Sequence, residues 1–75
     1  MVENVTDMRK IDVWWGVGNK RTSQIVSTIA IGKKLMRQKR KAGEESIVMY
    51  VAHETEDDNT ITYFFKDGKI KSEKL

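Results

Sequence analysis

Seventy-five residues with no cysteine, 33% charged residues and a net charge of +3 describe one small domain without a disulfide framework or a thiolate metal centre. No apolar run approaches the ~20 residues of a membrane span, and the opening MVENVTDMRK lacks the apolar stretch of a secretory leader, so the chain reads as cytoplasmic with no membrane partner. A chain of this size buries only about 60% of the surface its unfolded form exposes, which makes the core small and a homodimer the expected relief.

Charge is unevenly spread. Residues 1–32 carry four basic and three acidic side chains, residues 33–42 six basic and none acidic, and residues 43–75 four basic and eight acidic. Such asymmetry marks either a polyanion-binding surface or the solvated end of a helix.

Residues 1–8 read as a loose terminus, and 72–75 as a charged tail. Lys10–Val17 has strand alternation: Ile11, Val13, Trp15 and Val17 share one face, Asp12 and Trp14 the other. Residues 20–42 support two readings. A long helix would have Thr22 or Ser23 as N-cap, Gly43 just past its end, and an apolar stripe of Ile25, Ile29, Gly32 and Met36 with Val26 beside it. Alternatively, β-branched Ile25, Val26, Thr28, Ile29 and Ile31 make Gln24–Ile31 a strand. A loop over 18–20 would then set Val13 opposite Ile25, leaving the helix only about Lys33–Ala42. The long helix is the preferred reading.

Ser46–His53 is a second strand whose apolar run suggests burial on both faces, and Thr60–Lys66 is a third, after the polar turn 54–59. Asp67-Gly68 predicts a two-residue hairpin turn into a short edge strand over Lys69–Ser72. The predicted fold is therefore α+β, β-α-β-β with a further edge strand: one long helix on a three- or four-stranded sheet, its first crossover parallel if the flanking strands are neighbours. A small, mostly-β barrel and a ββαββ order are the alternatives. In element order alone, with a glycine loop leading into the helix, the preferred arrangement resembles small chromatin proteins of the Alba kind. That family's second helix has no counterpart here, and no motif carries over.

Gly16-Val-Gly-Asn-Lys-Arg-Thr-Ser23 would lead into the helix, where free N–H groups, Lys20 and Arg21 suit an anion. It is neither a P-loop nor a dinucleotide fingerprint; an ordinary turn explains it as well. On the helix, Lys33, Arg37 and Arg40 recur at steps of four and three with Lys34 and Lys41 alongside and Lys39 in the same run. This stripe suits a phosphate backbone or merely complements a helix C-terminus. Trp14, opposite Trp15 on its strand, is the aromatic expected to face outward, for stacking on a base or for a dimer contact. His53 and the acidic residues after it lack the spacing of a zinc or calcium site, and no group of residues forms a catalytic constellation. The expectation is a non-enzymatic protein, without cofactor or metal, that binds DNA or RNA through Lys20, Arg21, Lys33, Lys34, Arg37, Lys39, Arg40 and Lys41 with little sequence specificity. The alternative is a protein-interaction module, a small regulator or inhibitor docking through a sheet edge or an exposed aromatic face.

Overall fold

The computed structural model describes residues 9–53 and 60–74. Five strands and one helix follow in the order β1 (Arg9–Trp15), β2 (Thr22–Val26), α1 (Ile29–Lys41), β3 (Val48–His53), β4 (Ile61–Lys66) and β5 (Lys69–Lys74), with a 3₁₀ turn over Gly18–Lys20 between β1 and β2. The strands make a single sheet in the order β2-β1-β3-β4-β5, every pairing antiparallel. One helix packed on this sheet makes the domain α+β. None of the described helices is long and apolar enough to cross a membrane.

The long helix over residues 20–42 does not form. Residues 22–26 are strand, and α1 begins only at Ile29, capped by Thr28, whose hydroxyl accepts the Ile31 N–H at 3.1 Å, and not by Thr22 or Ser23. The physical reason is cooperative pairing: β-branched Thr22, Ile25 and Val26 extend against β1, and a hydroxyl cap at Thr28 gives the helix a later start. The strand reading of this stretch is right in kind but misplaced, ending at Val26 instead of Ile31, and Val13 faces Gln24, not Ile25. With β2 reversing the chain, β1 and β3 pair antiparallel and the expected parallel crossover disappears. The Alba-like element order disappears with it.

Gly43 ends the helix as expected. It sits at φ +89°, its N–H reaches Arg40 O, and the N–H of Glu44 reaches Lys39 O, both at 3.0 Å, the Schellman pattern that satisfies the last carbonyls. Asp67 and Gly68 both take positive φ, as a two-residue hairpin requires, and set Lys66 opposite Lys69. β5 continues to Lys74, so Ser72–Lys74 are strand and not tail. Residues 1–8 and the acidic turn 54–59 lie outside the described residues.

The core lies between α1 and one face of the sheet. Val13, Met36 and Met49 are fully enclosed, with Ile11, Trp15, Ile47 and Val51 around them. Burial on both faces of β3 is not what forms: Met49 and Val51 are buried, whereas Tyr50 on the other face is exposed. Val17, expected in line with Ile11, Val13 and Trp15, lies beyond the strand and is exposed as well. Gly32 lets the helix descend onto the sheet, since a Cβ there would strike Met49 Sδ and lie 3.3 Å from Val26 Cγ2.

Candidate nucleic-acid interface

α1 packs on β1, β3 and β2, so β4 and β5 extend the sheet beyond its flank. Register puts Tyr63 beside Met49 and Phe65 opposite Ile70, all on the helix side of the sheet, and Tyr63, Phe65 and Ile70 are only half-buried. Two cations of α1 reach over this floor: Lys33 Nζ stands 5.3 Å from the Tyr63 ring centre, and Arg40 Cζ 4.9 Å from that of Phe65. At about 100° per residue, Arg37 lies on the same flank, and Lys41 and Lys34 carry the charge around to the outer face. Arg37, Lys41 and Lys34 are all exposed.

Lys39 is the exception. It turns to the opposite flank, where its Nζ lies 4.4 Å from the Trp15 ring centre. A cation over a ring gains about 0.5–1 kcal/mol when exposed and more when desolvated, while its aliphatic stem covers apolar surface. Lys33, Lys39 and Arg40 therefore roof the rim of the core as well as carrying charge. Among the described residues, none of the six helix cations is paired with a carboxylate.

The residues before β2 do something other than open a helix. The Arg21 guanidinium donates to Gly16 O at 2.8 Å and Ser46 O at 3.0 Å, and lies 5.7 Å from the Trp14 ring centre. It ties the β1–β2 turn to the segment entering β3. Gly16, at φ +94°, completes that tie by donating its N–H to Glu45 O at 2.7 Å. No helix N-terminus stands behind Lys20 and Arg21, so the expected anion site at a helix start is absent there. Lys20 is exposed and lines a shallow depression of about 160 Å³ with Gly16, Val17, Gly43, Glu44 and Glu45. A larger cleft, about 350 Å³, lies between Arg40, residues 44–47 and Phe64–Phe65. Glu44 and Glu45 line both spaces and make each a poor phosphate pocket.

The sheet face away from α1 carries Trp14, Val48 and Phe64 in one cross-strand row, with Asp12 and Tyr50 in the next. Trp14 is half-buried, with Arg21 near its ring. Asp12 Oδ1 is shielded from solvent and has no hydrogen-bond partner among the described residues. No three of the described His, Asp and Glu residues converge as metal ligands. Sequence reasoning missed the tie made by Arg21 and the rings beneath Lys33, Lys39 and Arg40, because each joins residues distant in the chain. Comparison with protein-family models, curated proteins and solved structures returns no match for this chain.

Proposed function

We propose that the domain binds DNA or RNA through the phosphate backbone, along the flank of α1 that faces β4 and β5. The observation that carries this reading is a run of five cations unpaired with carboxylates among the described residues: Lys33 and Arg40 over the half-buried rings of Tyr63 and Phe65, Arg37 on the same flank, and Lys34 and Lys41 continuing the charge around to the outer face. Lys33 to Arg40 spans roughly 10 Å at ~1.5 Å per residue, enough for about three nucleotides at ~3.4 Å each. The rings already lie under cations, so phosphates and not bases supply the contacts, and sequence preference is weak. Lys39, Lys20 and Arg21 lie away from this rank and are secondary contacts at most.

Each neutralised phosphate releases a counterion, giving a slope of about −0.7 to −0.9 in log K against log salt. The test is fluorescence anisotropy of labelled DNA and RNA 20-mers over a salt series. The parent should bind at low salt, and replacing Lys34, Arg37 and Lys41 together with alanine should weaken binding on every sequence and flatten the slope by about two to three units. These three side chains are exposed and make no described contact, so folding should be unchanged by circular dichroism. A parent that binds neither polymer, or a folded triple variant that binds equally well, refutes the reading.

A protein-interaction module is the second reading, favoured by the open sheet face, where no element covers Tyr50 or the Trp14–Val48–Phe64 row among the described residues. Binding there would depend little on salt and would be lost on replacing Tyr50 and Phe64, while the triple helix variant would leave it intact.

A further inference from the structure

The two edges of the sheet are built differently. β5 carries Lys69, Lys71, Glu73 and Lys74 in six residues, charge that discourages another strand from adding to it. β2, with sequence TSQIV, carries no charge and no proline, and its outer side pairs with nothing among the described residues. Thr22–Ile25 are exposed, and every second residue of such an edge turns its N–H and C=O outward. The apolar surface nearby is open too: Ile25 is 66% exposed and Ile31 49%. By helical position, Ile31 and half-buried Leu35 lie on the flank of α1 opposite Lys33 and Arg37, above the β2 edge, where Gly32 brings α1 close to Val26.

We propose that a second copy of this chain covers this edge. Its β2 pairs antiparallel with the first about a two-fold axis near Gln24, making one continuous sheet of both domains. Antiparallel pairing of identical strands is self-complementary, as a two-fold interface requires. Ser23 then faces Ile25 of the second copy, and Thr22 faces Val26, so two domains of equal net charge meet without opposing like charges. The axis runs perpendicular to the sheet and keeps both helices on one side, where Ile31 and Leu35 of each approach across it. Five paired residues alone would fall short of the roughly 1,000 Å² of a stable interface, and this helix flank supplies the rest. Lys33, Arg37 and Arg40 remain on the far flanks, so assembly stands independently of the nucleic-acid reading.

Sedimentation equilibrium from about 10 to 200 µM, a range chosen to expose mass action, tests the assembly. The parent should reach twice its 8.7 kDa chain mass. Ser23→Lys combined with Ile25→Lys sets lysines directly opposite across the axis and should hold the folded protein at one chain mass. Because the chain lacks cysteine, Gln24→Cys reports proximity without interference: under oxidation it should form a covalent dimer, and Glu73→Cys on the other edge should not. A parent of one chain mass throughout, a folded double-lysine variant that still dimerises, or cross-linking at position 73 and not 24 overturns the proposal.

Discussion

Gly16→Ala tests whether the tie between the β1–β2 turn and the start of β3 holds the sheet end together. Gly16 is buried at φ +94°, where an L-residue costs about 1–2 kcal/mol. The added Cβ would also lie 2.5 Å from Lys20 O and 3.1 Å from Arg21 Cα. Both are backbone atoms that cannot rotate aside, so the turn has to open. Opening it weakens the Gly16 N–H bond to Glu45 O and the Arg21 bond to Gly16 O, the latter a charged bond of a kind worth about 1.5–3 kcal/mol.

The control is Gly43→Ala, at φ +89° with nothing within 4 Å of the added Cβ, which isolates the backbone cost from the collision. Gly43→Ala should lose about 1–2 kcal/mol and Gly16→Ala about 3–5. Against a total of roughly 4–11 kcal/mol for a chain of this length, the second loss threatens the fold. Urea titration followed by the fluorescence of Trp14 and Trp15, which directly precede Gly16, reads the difference. With a slope near 1.5 kcal/mol per molar, a gap of 2–3 kcal/mol separates the midpoints by about 1.3–2 M. Midpoints within about 0.3 M of each other would refute the tie, because both variants would then report only the cost of positive φ.

Gly32→Ala should also destabilise, by about 1 kcal/mol net: alanine gains about 1 kcal/mol of helix propensity, but overpacking against enclosed Met49 costs more, within the usual 1–3 kcal/mol. A denaturation midpoint at or above the parent's would show that Met49 can give way. Thr28→Ala removes the cap on Ile31 N and should cost about 1 kcal/mol, with lost helical ellipticity at the melting midpoint; no change would place the cap elsewhere. Asp12→Thr should hold or raise the melting temperature, because it removes a shielded oxygen that has no partner among the described residues and suits a strand, and a fall would mean that Asp12 has a donor.

What was legible in the sequence was local. β1, β3, β4 and the Asp67-Gly68 hairpin follow from alternation and turn chemistry, each set by neighbours within a few residues. Residues 20–28 were not legible, because Ile25, Ile29, Gly32 and Met36 fit a helical stripe while the same stretch is rich in β-branched residues. Pairing with β1 decides it, and that pairing depends on a turn that Gly16 and Arg21 hold from outside β2. Ile25, assigned to the helical stripe, ends on the open side of the sheet at 66% exposure, while Ile29 and Met36 of the same stripe pack into the core.

The basic run shows the same divide at the level of the site. Its charge and its spacing on a helix are properties of residues 33–41, and α1 contains all of them. What each cation does besides carry charge depends on the strand beneath it. Lys39 meets Trp15 and Arg40 meets Phe65, pairs set by how the helix lies across the sheet. Those two and Lys33 would lose packing as well as charge if truncated, so a binding defect in their variants would mix recognition with stability. Lys34, Arg37 and Lys41 make no described contact, and their loss should remove charge alone. The separation matters in a domain of modest stability, where a cost of 1–2 kcal/mol to the fold could pass for a loss of affinity.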